Sequence, residues 1–230
     1  MEQNAQKGCV AGAIGKARSA SAAMPNRNHA YPFDAVGDVT ELYTRGGARK
    51  YVTIEERRRF IAAASTLPET KRLFLLMLVW TGARISEVLA IRQMDVQLDR
   101  GLVLLRTLKR RRFALREVPL PPALLSALHV FLRSRPCGGE ASAAHLWPWC
   151  RTSAWRLIRR MMRCAGIHGP QACPRGLRHG FAVAALQSGV PVMLLQRWLG
   201  HARLSTTAIY AAVSGPEERS LATDLWKRAA

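Results

Sequence analysis

The sequence predicts a mostly helical fold with one small antiparallel β-sheet, an α+β arrangement, and three observations carry that prediction. Apolar residues recur at helical spacing between start and stop signals along most of the chain beyond residue 50. The pattern changes once, where "LVLLR" (102–106) and "FALREVPL" (113–120) read as short strands joined by the charged turn "TLKRRR". Hydrophobic residues make up 49 % of the 230, enough to fill a sizeable core.

Residues 1–50 are rich in Ala, Gly, Ser and Asn without a sustained apolar period. They read as a flexible arm with at most a short ordered piece around "AYPFDAVGDVTELY". Order is expected from Thr53, because "TIEE" is a capping box, Thr53 with Glu56, that opens a helix through about Ser65. A second helix runs from Glu69 to Trp80 and stops at Gly82. The third opens near Arg84, with Ile85, Val88 and Leu89 on one face. After the strands, Pro121 and Pro122 start a helix to about Arg133, and "RPCGGEASAAHLWPW" is a loop. The helix over 152–165 has two faces: Trp155, Ile158, Met162 and Ala165 on one, Arg156, Arg159, Arg160 and Arg163 on the other. Two more helices follow, from about Arg178 to Ser188 and from Pro191 to Leu199. A last short one has Ser205 as its N-cap.

The chain carries a formal charge of +20, from 35 Lys and Arg against 15 Asp and Glu, and most of the excess lies beyond residue 50. A folded domain so basic attracts polyanions, and nucleic acid is the expected partner. The arginines of the 152–165 helix lack acidic partners four residues away, so they repel one another and need an external anion. Five cysteines, odd in number and without a CxxC, argue against a disulfide framework and a zinc site and fit reduced cytoplasmic thiols. "LFLLMLVW" (73–80) is too short to span a bilayer, so no membrane partner is expected. The N-terminus shows no apolar secretory core. Acidic clusters for magnesium, HExxH and Walker loops are missing, so neither a metal nor any other cofactor is expected. Cutting a phosphodiester without metal requires a nucleophile, cations for the phosphate oxygens, and an acid for the departing sugar oxygen. Tyrosine, with a pKa of roughly 10, suits the first role. Arginine, whose planar fork matches phosphate, suits the second.

Three segments carry a resemblance: "TGARISEVLAI" (81–91), "PRGLRHGFAVAAL" (174–186) and "LGHARLSTTAIY" (199–210). In order and spacing they resemble the signature boxes of the tyrosine recombinase, or phage integrase, family. The resemblance covers roughly residues 53–212 and implies a catalytic domain over 51–230. It implies that Arg84 and Arg178 clamp the scissile phosphate, that His201 donates to it, and that Tyr210 is the nucleophile. Lys109 is similar in placement to the family's general acid, and Glu87 and His179 match supporting positions. Arg110, Arg111 and Arg112 share the basic turn with Lys109 and are candidate DNA contacts. Gly82 and Gly200 read as helix stops that aim Arg84 and His201.

The resemblance implies a site-specific DNA recombinase acting on double-stranded DNA through a 3′-phosphotyrosine. It further implies a homotetramer on DNA, with exchange of the tail "PEERSLATDLWKRAA" through Leu221, Leu225 and Trp226, and help from an accessory DNA-bending protein. Two departures stand out. Arg175 occupies a position where the family usually carries a histidine, and a guanidinium cannot accept the tyrosine's proton. Arg175 is expected to act as a cation in the site instead. Only weakly patterned residues precede Thr53, so the chain resembles the short, catalytic-domain-only members such as fimbrial phase-switch invertases. A non-cutting DNA-binding relative and a type IB topoisomerase are the alternative readings.

Overall fold

Thr53 and Glu56 close the capping box reciprocally, the Glu56 N–H donating to Thr53 Oγ1 and the Thr53 N–H to Glu56 Oε2. This opens α1 (Ile54–Ser65). The computed structural model describes residues 42–107, 114–135 and 143–212. Helix α2 (Glu69–Thr81) buries Leu73, Phe74, Leu75, Met77, Leu78 and Val79, an apolar surface nearly all round that marks a core helix. It packs against α1, against α4 (Pro122–Arg133) and against α6 (Pro174–Gln187).

Helix α3 (Ile85–Leu89) leads through a 3₁₀ turn at Gln93–Asp95 into the sheet of β1 (Val96–Gln97), β2 (Leu102–Arg106) and β3 (Leu115–Pro119). The strands are antiparallel in the order β1-β2-β3, with Val103 opposite Val118 and Leu105 opposite Arg116. Helices α5 (Arg151–Cys164), α7 (Val192–Leu199) and α8 (Ser205–Ala208) complete the domain, and a 3₁₀ turn at Ile209–Ala212 continues α8. Helix α6 stands between two apolar clusters. The larger takes Leu177 with α1–α5 and the sheet. The smaller joins Phe181, Ala182 and Val183 to Leu42, Leu195, Leu199 and Tyr210.

The structure corrects the sequence reading in five places. The helix expected from Arg178 begins at Pro174, where a proline in the first turn gives up an N–H that has no helical partner anyway. Arg175, Arg178 and His179 therefore share one helix. Trp155 does not face the core: it is 45 % exposed, and the buried stripe of α5 is Ala154, Ile158, Met161 and Met162. Ala154 and Met161 take the buried side in its place, while the Arg159 guanidinium lies over the outward indole. Ser205 is not an N-cap. Leu204 precedes α8 in helical conformation, φ −63° and ψ −35°, so the extended backbone that a capping side chain needs is missing. Strand β1 was not expected, because two residues are too few to show alternation.

Order also begins before Thr53. Leu42 is fully buried, Tyr43 pairs with Arg49 in an antiparallel bridge, and Arg49 clamps Glu56 with both guanidinium nitrogens, at 2.5 and 2.7 Å. The Val52 N–H donates to Gly176 O on α6, and a Cβ at Gly180, one turn on, would lie 2.3 Å from Val52 O. The missing side chain thus lets this segment lie directly on α6. The arm before residue 42, the turn holding Lys109, Arg110, Arg111 and Arg112, and the tail with Leu221, Leu225 and Trp226 lie outside the described residues.

Candidate active site

Arg178 is held by two helix ends. Its Nη1 donates to Gly82 O at 2.9 Å and its Nη2 to Leu199 O at 2.8 Å. Gly82 and Gly200, with φ of 60° and 67°, terminate α2 and α7 in the left-handed conformation. The carbonyls at these C-termini lack helical partners and carry partial negative charge, which suits a cation. Burial, reinforced by Arg84, pushes the Arg178 guanidinium down to about 10, still fully charged at neutral pH.

Arg84 sits at the N-cap of α3 and donates through Nη1 to Glu87 Oε1 at 2.9 Å. Glu87 Oε2 accepts the Arg84 backbone N–H at 2.9 Å and Arg116 Nη2 at 2.6 Å. Burial alone would raise the Glu87 carboxyl, but Arg116 and Arg84 outweigh it and hold the carboxyl below its ordinary value. Arg116 also donates from Nε to Trp198 O at 2.7 Å and from Nη1 to Thr107 Oγ1 at 3.1 Å. One buried carboxylate thereby fixes Arg84 and ties the sheet to α3 and α7.

Past Gly200 the chain turns His201 into the site, where its Nδ1 lies 2.9 Å from Thr207 Oγ1. Burial, with Arg178 and Arg84 nearby, pushes this imidazole down to about 3. Tyr210 is 3 % exposed, its ring nearly parallel to that of His201, and its Oη lies 2.9 Å from His179 Nδ1. His179 is pushed down to about 4 by burial and by Arg175, Arg178 and Lys50. Both histidines are therefore neutral at physiological pH.

An open cleft of about 740 Å³ brings Arg84, Arg175, Arg178, His179, His201 and Tyr210 together. Glu87 stands behind it, on Arg84. Lys50 and Arg151 also line the cleft, and no acidic side chain does so among the described residues. The walls are thus cationic beside a tyrosine. Sequence reading missed Lys50, Arg151 and Arg116. Arg116 alone had a local signal, as a charge at the inward position of the β3 alternation next to Val118. Among the described residues, no cluster of His, Cys, Asp or Glu has the makings of a metal site. Outside the cleft, Arg156, Arg160 and Arg163 stand exposed on α5, whereas Arg159 is half-buried and donates to Ala172 O.

The fold and cleft define a helical α+β domain with a tyrosine in an open, arginine-lined cleft. Residues 50–216 match the phage integrase family, and the chain belongs to that family. The tyrosine recombinase XerA of Thermococcus kodakarensis is 33 % identical over 170 residues, covering 72 % of this chain and 58 % of the relative. A crystal structure of XerA recombinase superposes with a TM-score of 0.63 at 27 % identity, covering 76 % of this chain and 64 % of that one. The XerH recombinase bound to its difH substrate shares the fold, with a TM-score of 0.59 at 23 % identity over 75 % of this chain and 52 % of that one. This chain thus spans less than two thirds of the length of curated relatives such as XerA.

Proposed function

We propose that this chain is a site-specific DNA recombinase that cuts and rejoins double-stranded DNA through a 3′-phosphotyrosine intermediate. The observation that carries the reading is the convergence of Tyr210, Arg84, Arg178 and His201 on one cation-lined cleft. Tyr210 Oη attacks the scissile phosphorus, the bond to the 5′ oxygen breaks, and a free 5′-hydroxyl leaves. Arg84 and Arg178 neutralise the charge that grows on the non-bridging oxygens. His201, neutral and backed by Thr207, donates from Nε2 to one of them. Lys109 protonates the departing 5′ oxygen; an arginine of the same turn is too weak an acid for this. Attack by a partner strand's 5′-hydroxyl then reverses the chemistry onto a new end.

Arg156, Arg160 and Arg163 on α5, with Arg110, Arg111 and Arg112 in the basic turn, hold the DNA backbone around the site. Arg159 contributes less, because its guanidinium is engaged on Ala172. The working form is a homotetramer on two DNA sites with exchange of the C-terminal tail, aided by an accessory DNA-bending protein, in the cytoplasm. In support, no helix among the described residues is long and apolar enough to cross a membrane. The relatives named above are recombinases, and nothing favours the topoisomerase alternative.

Covalent trapping tests the reading. The protein is mixed with nicked duplexes tiled from DNA flanking its own gene, and SDS-resistant adducts are sought beside Tyr210→Phe. An adduct lost in the variant is the expected result. Tight binding to one duplex without any adduct favours the non-cutting relative.

A further inference from the structure

We infer that His179 is the group that takes the proton from Tyr210 as its oxygen attacks phosphorus, in the place of a base that Arg175 cannot supply. The inference rests on the recombinase reading above and adds a residue to its chemistry.

The geometry is direct. His179 Nδ1 lies 2.9 Å from Tyr210 Oη, inside the reach that proton transfer needs. The other imidazole and the carboxylate of the site are engaged elsewhere. His201 Nδ1 is engaged with Thr207 Oγ1 and its ring lies parallel to that of Tyr210, and the reading above gives its Nε2 to the phosphate. Both oxygens of Glu87 are taken by arginines. Arg175 lies one helical turn before His179 on α6, so the two share a face and both line the cleft. The cleft therefore holds a histidine and a cation on the same stripe of the helix.

With His179 in its Nε2–H tautomer, Nδ1 accepts the Tyr210 hydroxyl. As the Oη–P bond forms and the P–O5′ bond breaks, the phenolic proton passes to Nδ1 and leaves an imidazolium. The 5′ oxygen takes its proton from Lys109. In the rejoining step a 5′-hydroxyl attacks phosphorus, the Oη–P bond breaks, and Nδ1 returns the proton to Tyr210.

The charges around His179 explain when this base works. Facing it are Arg175 and Arg178 from its own helix, Lys50 from the segment before α1, His201 from the turn after α7 and Tyr210 from the last 3₁₀ turn. Without DNA these cations oppose an imidazolium, so the ring stays bare and available. A phosphate in the cleft offsets the same cations and makes proton uptake easier. The base is thereby strengthened only once DNA is bound.

The test uses single-turnover cleavage of whichever nicked duplex traps most wild-type protein. His179→Ala is expected to cut about 10²–10⁴-fold more slowly with unchanged DNA affinity, and added imidazole restores part of the rate. Its rate should also rise steeply with pH, because the hydroxyl then loses its proton to solvent, whereas the wild-type rate changes far less over the same alkaline range. His179→Gln keeps the side-chain bulk and carries the same test where thermal unfolding shows that the alanine variant does not fold. Wild-type cleavage rates in either variant overturn the assignment. So does a slow variant with the wild-type pH profile and no response to imidazole, since that is the mark of a structural role. A wild-type protein that makes no adduct on any duplex overturns instead the recombinase reading beneath it.

Discussion

Thr207 Oγ1 stands 2.9 Å from His201 Nδ1, with Thr207 fully buried under the turn that returns the chain to the cleft. A hydroxyl donating to Nδ1 leaves the proton of the neutral imidazole on Nε2, the nitrogen able to serve a phosphate oxygen. Thr207→Val keeps the shape and removes the donor, so the ring is free to adopt the other tautomer. Cleavage is expected to fall by about 5- to 10-fold, one hydrogen bond's worth, while Thr207→Ser stays close to wild type. Equal rates for the valine and serine variants would show that the contact does not set the tautomer.

Removing Arg116 should harm stability more than any surface arginine. Its side chain and that of Glu87 are 4 % and 2 % exposed, and they meet at 2.6 Å. Arg116→Met strips a buried carboxylate of its nearest cation, at a cost of about 3–5 kcal/mol. Arg156→Met on exposed α5 should leave the melting temperature nearly unchanged. Calorimetry of the two variants checks the contrast, and a small loss at Arg116 would mean that water or Arg84 takes over the pairing.

The part of this fold that could be read from sequence is the part built from local signals. The Thr53–Glu56 box, the apolar run of α2, the glycine stops and the two longer strands each announce themselves within a few residues. Lys50 and Arg116 do not, because distant pairings place them. Arg49 on Glu56 and Val52 on Gly176 bring Lys50 to the cleft, and Glu87 draws in Arg116 from 29 positions away. The Tyr210–His179 contact joins residues 31 apart, so matching motifs placed His179 in the site without showing its partner. Trp155 was misplaced for a different reason. Stripes through Ala154 and through Trp155 both satisfy helical spacing, and only the packing of α5 on the core decides between them.

Gly180 should tolerate no side chain. A Cβ there would lie 2.3 Å from Val52 O, and backbone cannot swing away as a side-chain tip can. Gly180→Ala is expected to push the Leu42–Val52 segment off α6, exposing Leu42 and withdrawing Lys50 from the cleft. Destabilisation by about 1–3 kcal/mol and faster proteolysis before Thr53 are the expected signs. Normal stability with intact protease resistance would show that α6 and this segment yield more easily than their contact implies.

Acid should loosen the DNA-free domain in two stages. Burial keeps His179 and His201 bare in the folded state, down to about 4 and about 3, whereas the unfolded chain protonates both near 6.5. Between those values the unfolded state binds more protons, so stability falls as pH drops from about 6.5 and levels off below about 3. Glu56 adds a second stage. Burial would raise its carboxyl, but Arg49, the Thr53 N–H and Gln171 hold it at about 2 against an ordinary 4.5. Its contribution is complete above about pH 4.5 and is lost as pH falls towards 2. Melting temperatures from pH 8 to pH 3 should therefore decline from about 6.5 and go on declining below about 4.5, where Glu56 takes over as His179 saturates. His179→Gln removes one titrating ring, so its decline in the upper window should be shallower than wild type. Identical slopes for the two proteins would place the upper stage on groups other than His179.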